Sequence, residues 1–192
     1  MNINVLIIGS GGREHALAWK LSQSPRIGKL FVAPGNGGTR QVAENIAIDA
    51  TDIDGLVQFA ANNEIGLTVV GPDDPLALGV VDAFQARGLR IFGPTRAAAE
   101  IESSKAFAKN LMSEAGISTA TFQIFSEYDK ALAYIRERGA PIVVKASGLA
   151  LGKGVYVCKT LSQAESALAE IMLENVHKDA GKEVVVEEFL EG

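Results

Sequence analysis

The chain has 192 residues, enough for one or two domains, and 47% of them are apolar, which supplies a core and excludes disorder. Its net charge is −5 with the basic residues dispersed, which excludes the cationic surface of a nucleic-acid binder. The lone cysteine, Cys158, forms no internal disulfide and no apolar run is long enough to span a bilayer, so the expectation is a soluble cytoplasmic protein with no nucleic-acid or membrane partner.

Val5–Ile8 is a continuous apolar run, as in a strand buried on both faces, and it breaks into Gly9-Ser10-Gly11-Gly12-Arg13-Glu14-His15. Ala16, Leu17 and Leu21 follow at helical spacing, with Trp19 expected on the buried surface of that helix. Further strands are predicted at Lys29–Ala33, Ile46–Ile48, Leu67–Val70 and Arg90–Phe92. One intervening helix is capped by Thr51 or Asp52, with Leu56, Phe59 and Ala60 on one face. Another follows Pro75, buries Leu78, Val81 and Phe84, and ends at Gly88. This alternation implies an open parallel sheet with helices on both faces. Gly9–His15, Ala33–Asn36, Gly71–Pro75 and Gly93–Thr95 all leave the carboxyl ends of strands, the edge where open α/β sheets bind ligands.

Gly9 and Gly11 match the start of a dinucleotide fingerprint, but Glu14 occupies the third glycine position. No Asp or Glu lies between Glu14 and Glu44 to hold a ribose hydroxyl, so that reading fails. What remains is either a single-phosphate site, built from the N–H groups of Gly11 and Gly12 with Arg13 beside them, or a tight turn that needs glycine. His15 either contacts a ligand or packs the helix. Asp73 and Asp74 either place charge at a helix N-terminus or hold the amine or hydroxyls of a substrate.

Pro94 marks a boundary, followed by a short helix near Ala97–Ile101. Ser103–Glu114 reads as an amphipathic helix with Ala106, Phe107, Leu111 and Ala115 on one side, closed by Gly116. Lys105 in its first turn opposes the helix dipole, so it is either a surface lysine or one that meets an anion. Thr121–Phe125 is a predicted strand and Tyr128–Arg138 a helix stopped by Gly139. The β-branched runs Ile142–Val144 and Val155–Val157 then form a hairpin with a long tip. Gly148, Gly152 and Gly154 let that tip approach a ligand, and Lys145 and Lys153 supply charge, so the stretch is either a flap for a polyphosphate or a mobile tip with incidental lysines. It is not a P-loop, because Lys153 stands where the second glycine belongs and a strand follows. Ser162 and Glu165 predict a capping box for a helix carrying Ala164, Leu168, Ile171 and Met172. Glu183–Phe189 is the last strand. Cys158 is read as a strand residue and His177 as solvated, and no metal-ligand cluster is found.

In order along the chain, Gly9–Lys20 (G-S-G-G-R-E-H-A-L-A-W-K), Ala33–Asn36, Thr68–Pro72, Ile91–Thr95, Ser104–Lys109, Ala140–Ala146 and Glu187–Gly192 (E-E-F-L-E-G) together resemble the glycinamide ribonucleotide synthetase family of the ATP-grasp superfamily. The resemblance implies a Rossmann-like, pre-ATP-grasp α/β domain at residues 1–102. It implies a linker helix and the small α+β lobe of an ATP-grasp fold at residues 103–192. It also implies a reaction of purine biosynthesis, in which ATP phosphorylates glycine and the amine of 5-phosphoribosylamine attacks the resulting glycyl phosphate. By resemblance, ATP meets Lys105, Val143, Lys145, Ser147, Gly148, Gly152, Lys153, Gly154, Glu187, Phe189 and Leu190, with Glu187 accepting from the adenine amino group. Phosphoribosylamine meets Gly11, Gly12, Arg13, Glu14, Asn36, Gly37 and Asp73. Ser147 and Asp73 depart from the family's usual Asp and Glu, and Val176-His177-Lys178 replaces an aromatic–glycine pair. Family members are longer, and the part that holds their Mg²⁺ ligands has no counterpart here. No catalytic or metal residue is therefore assigned to this chain, which is expected to be inactive without the missing C-terminal portion in trans. The alternative is a non-catalytic nucleotide- or phosphosugar-binding protein.

Overall fold

A computed structural model of the chain describes residues 2–150 and 152–191. They form two compact units, the first ending at Ala99 and the second beginning at Glu100.

The first unit is built on β1 (Ile3–Gly9), β2 (Ile27–Pro34), β3 (Glu44–Asn45), β4 (Ile65–Val70) and β5 (Ile91–Phe92). The strands are parallel in the order β3-β2-β1-β4-β5. β1 is central, and Val5–Ile8 is fully buried, as its unbroken apolar run requires. Leu6, Ile8, Leu56, Val81 and Phe84 pack on one side of the sheet, and Val5, Ile7, Ala18 and Val32 on the other. The helices are α1 (Gly12–Ser22), α2 (Ile53–Asn62), α3 (Asp73–Ala77) and α4 (Val80–Ala86), with α5 (Arg96–Ser103) spanning the end of the unit. Asp52 caps α2, its Oδ1 accepting from the Gly55 N–H at 3.0 Å.

Three expectations are corrected in this unit. β3 ends before Ile46–Ile48, and of these residues Ile46 still donates to the Val32 carbonyl at 2.8 Å. The helix expected after Pro75 is two helices, because Gly79 adopts φ +89° between them. That break turns Leu78 outward and buries Val80 with Val81 and Phe84. In α1 the inward positions are Glu14 and Ala18, one turn apart, so Ala16 and Leu17 are exposed and Trp19 is 54% exposed.

The second unit contains α6 (Lys105–Glu114), β6 (Phe122–Phe125), α7 (Tyr128–Arg138), β7 (Ile142–Ala146), β8 (Val155–Cys158), α8 (Leu161–Met172) and β9 (Val184–Glu188). Its antiparallel sheet runs β6-β9-β7-β8. Ile142, Val144, Ala146, Val184 and Val186 face a core completed by Ala131, Ile135, Leu168 and Ile171 of α7 and α8. Strand alternation places Val143, Lys145, Val185 and Glu187 on the opposite face.

Here too the local readings shift. Thr160 and Gln163, not Ser162 and Glu165, form the capping box of α8. Glu165 instead accepts from Arg136 Nε at 2.6 Å. His177 is half-buried rather than solvated, with Nε2 3.0 Å from Tyr156 Oη. Ser104 caps α6, whose inward residues are Ala106 and Lys109, while Phe107 and Leu111 are exposed. Lys109 can point inward because a buried carboxylate meets it there. Among the described residues no helix is long and apolar enough to cross a membrane.

Candidate functional site

At the carboxyl edge of the parallel sheet, the glycines surround a carboxylate. Glu14 is 2% exposed, and its Oε2 accepts from the Gly11 N–H at 2.5 Å. A β-carbon on Gly9 would lie 2.6 Å from Glu14 Cγ, and one on Gly71 would collide with the carboxylate itself. Glu14 Oε1 is buried without a hydrogen-bond partner among the described residues, 3.9 Å from Arg13 Nε. The glycine pattern that hints at a phosphate turn is therefore also the space a buried glutamate needs, and the Gly11 N–H is already engaged. Gly12 opens α1 in free space, and the Arg13 side chain is 69% exposed.

Asn36 ties the next loop to the first. Its Nδ2 donates to the carbonyls of Ser10 and Gly11 at 2.8 and 3.1 Å, while its Oδ1 accepts from the N–H groups of Gly38 and Thr39. The side chain expected to meet substrate thus holds two loops in place, leaving Gly37 exposed beside it. His15 packs its ring against Gly38, where a β-carbon would sit 2.5 Å away. Asp73 and Asp74 open α3 without capping it through a side chain, Asp73 half-buried and Asp74 exposed.

In the second unit, strand register lines up a second constellation. Val157, Val143, Glu187 and Phe122 stand opposite one another across β8, β7, β9 and β6, and Val155, Lys145, Val185 and Ile124 form the neighbouring row. Lys145 Nζ donates to Glu187 Oε2 at 2.7 Å, and Lys109 Nζ lies 3.1 Å from the same oxygen. Lys109 also donates to Thr119 Oγ1 at 2.7 Å and the Ala120 carbonyl at 3.4 Å. Glu187 is 5% exposed, and its Oε1 is buried with no partner among the described residues. Val155 and Val157 leave an exposed apolar strip on the same face.

Lys105 Nζ donates to the Gly148 carbonyl at 3.1 Å. Burial, and then the nearby charge of Lys145, push its pKa below the ordinary lysine value. Ser147 is 5% exposed, its Oγ accepts from the Ala106 N–H at 3.1 Å, and its carbonyl accepts from the Lys105 N–H at 2.8 Å. It anchors the start of α6 instead of presenting a free hydroxyl. The tip glycines have separate reasons. Gly148 packs against Ala180 and donates to its carbonyl, Gly154 packs against Ala146 and Ala150, and Gly152 has φ +76°. Lys153 is exposed at the tip, Phe189 is half-buried and Leu190 is exposed; Leu151 lies outside the described residues. The Cys158 thiol is buried, and burial raises its pKa.

The sequence reading brings Lys145 and Glu187 to one place but misses Lys109. The available signal was a lysine three positions after Ala106 on the inward stripe of α6. Chemically, the arrangement offers a half-buried lysine, a buried carboxylate oxygen without a partner among the described residues and an exposed apolar strip on one sheet face, with Lys105 close by.

Two family models match the chain. One is the phosphoribosylglycinamide synthetase N domain over residues 3–102, and the other the phosphoribosylglycinamide synthetase ATP-grasp (A) domain over residues 103–192. The chain is 60% identical to the phosphoribosylamine–glycine ligase of Pasteurella multocida and 57% identical to that of Haemophilus influenzae, in each case over 99% of this chain and 45% of the relative. The chain thus spans less than half the length of these relatives. The crystal structure of the Thermotoga maritima phosphoribosylamine–glycine ligase matches with a TM-score of 0.78 at 28% identity, covering 99% of this chain and 44% of that one. The biotin carboxylase domain of Hydrogenobacter thermophilus 2-oxoglutarate carboxylase, at 18% identity and TM-score 0.77 over 100% of this chain and 45% of that one, shares the fold. With both models matched end to end, the chain belongs to the phosphoribosylglycinamide synthetase family.

Proposed function

We propose that this chain supplies the phosphosugar loops and one wall of the ATP site of a cytoplasmic ligase. The whole enzyme joins glycine to 5-phosphoribosylamine, giving glycinamide ribonucleotide, ADP and phosphate in purine biosynthesis. The observation that carries the reading is the Lys145–Glu187 pair on the sheet face turned away from the α7–α8 core, with a buried Glu187 oxygen that has no partner among the described residues. In this reading Val143, Phe189 and Leu190 flank adenine and Glu187 Oε1 accepts from its amino group. Lys105, Lys145 and Lys153 neutralise the phosphates, and the hairpin tip shaped by Gly148, Gly152 and Gly154 covers them. Ser147 positions Lys105. The γ-phosphoryl group passes to the glycine carboxylate, and the phosphoribosylamine nitrogen then attacks the acyl carbon and expels phosphate. The lysines and the hairpin tip position the reacting groups and balance their charge.

Phosphoribosylamine is held on the loops of Gly11, Gly12, Arg13, Glu14, Asn36, Gly37 and Asp73, with Gly11 and Asn36 shaping them through their own hydrogen bonds. Gly12 and Arg13 face its phosphate, and Glu14 and Asp73 offer acceptors to its hydroxyls or amine. Among the described residues no group of three or more His, Cys, Asp or Glu is placed to hold a metal ion.

The test is ADP release dependent on both glycine and phosphoribosylamine. It is measured for the purified chain, then with the C-terminal part of the Pasteurella multocida ligase added. Turnover is expected only on complementation. Full turnover from the 192-residue chain alone, or ATP binding by it at micromolar or tighter, overturns the division of labour proposed. Titration with ribose 5-phosphate should move amide signals in the loops that carry Gly12, Gly37 and Asp73.

A further inference from the structure

We propose that Lys109 is a positioning residue that selects the base. It holds Glu187 so that Oε1 is a permanent hydrogen-bond acceptor, and the site takes a ring edge that presents an amino group and rejects one that presents a carbonyl. The inference rests on the nucleotide reading of the sheet face that carries Lys145 and Glu187.

The two lysines that meet Glu187 are not equivalent. The Lys145 side chain is 23% exposed, whereas that of Lys109 is 9% exposed. An ammonium group has three hydrogens to donate. Lys109 has three acceptors for them: Glu187 Oε2, Thr119 Oγ1 and the Ala120 carbonyl. Its Nζ also lies 5.5 Å from the centre of the Phe122 ring. Lys145 is the lysine that a phosphate can draw away, and Lys109 is the one that stays. Both reach the same oxygen, so the departure of Lys145 leaves Oε2 still paired and Oε1 still without a partner among the described residues.

A carboxylate has no hydrogen to give, so it accepts from an amino group and repels an oxo oxygen. By fixing the Glu187 carboxylate in place through Oε2, Lys109 gives the pocket its preference. Val143 stands directly opposite Glu187, and Val157 directly opposite Val143, so apolar side chains share the row with Glu187 on one sheet face, suited to the face of a planar ring. A site built to pair one edge loses most when a ligand leaves a buried polar group unpaired.

The probes are ATP and ITP, which differ by an amino and an oxo group at one ring position, titrated into ¹⁵N-labelled chain. Wild type is expected to bind ATP at least about tenfold more tightly than ITP. Lys109→Met should bring the ratio to about threefold or less, and Lys109→Arg should restore it. Thr119→Val should lower the ratio by a smaller amount. Lys145→Met should weaken both nucleotides and leave the ratio in place. If Lys109→Met does not fold, the wild-type lysine ammonium signals still decide. That of Lys109 should stay protected and unmoved when ATP is added, while that of Lys145 shifts. An unchanged ATP-to-ITP ratio in folded Lys109→Met, or a Lys109 signal that moves with that of Lys145, overturns the proposal. Failure of wild type to bind either nucleotide at millimolar concentration removes the nucleotide reading itself.

Discussion

Each unit buries a glutamate with one oxygen unpartnered among the described residues, and the two are held by opposite means. Glu14 is held by a backbone N–H and by the absence of side chains at Gly9, Gly11 and Gly71. Glu187 is held by two lysine side chains from different elements. The first arrangement makes the surrounding backbone intolerant of any added atom. The second makes the carboxylate depend on its counter-ions. A buried carboxylate thus leaves a glycine signature in one case and hardly any local signature in the other.

The largest effect that tests this contrast is expected at Gly71. Gly71→Ala should destabilise the first unit by about 3 kcal/mol, because the new methyl group meets Glu14. In a Glu14→Ala background the same change should cost less than about 1 kcal/mol, since the nearest atoms around the added carbon all belong to Glu14. Urea unfolding of the four variants checks it, and equal costs in both backgrounds would break the comparison. Next comes the lysine pair. Lys109→Met should cost about 2–3 kcal/mol and Lys145→Met about 1 kcal/mol, because the more buried partner balances more of the Glu187 charge. Reversal of that order in chemical denaturation would mean that Lys145 is the structural counter-ion.

Lys105 contributes in the opposite direction. Burial first, and then Lys145, lower its pKa from the ordinary 10.5. Between the folded value and 10.5 the unfolded chain binds more protons than the folded one, so stability rises with pH across that window. Below the folded value the full cost of the buried charge is present, and above 10.5 it is gone. Lys105→Met should abolish this alkaline rise in the second unit, and its persistence in the variant would show that another group is responsible. The smallest stability effect is expected at Arg13. Its contact with Glu14 is long and exposed, so Arg13→Ala should change stability by less than about 0.5 kcal/mol while weakening ribose 5-phosphate binding. A large loss of stability would mean that Glu14 needs a side-chain cation after all.

The contrast also explains what could be read in advance. The buried run of β1, the β7–β8 hairpin, the helix Tyr128–Arg138 and the loops at one sheet edge follow from local pattern and glycine chemistry. The phase of α1 was lost because a glutamate, ordinarily a surface residue, takes the inward position ahead of Leu17 and Trp19. The phase of α6 was lost for the same reason, since Lys109 displaces Phe107 and Leu111 from the buried stripe. Thr160 won the cap of α8 because Glu165 is drawn to Arg136 on another helix. For α6 and α8 the deciding partner, Glu187 or Arg136, lies far away in sequence. Periodicity sees only neighbours along the chain.

The position of β9 has a consequence for the order of events during synthesis. It is the last strand of the described residues, yet it lies between β6 and β7 and is the only strand that β6 pairs with in the sheet order. A nascent chain that has emerged through Cys158 holds the β7–β8 hairpin without its inner neighbour, and a lone hairpin is marginal in water. The first unit, complete by Ala99, can form its sheet well before this. The apolar edge of β7 therefore waits exposed until residues 184–188 leave the ribosome, and that interval is when the second unit is most open to aggregation or to capture by a chaperone.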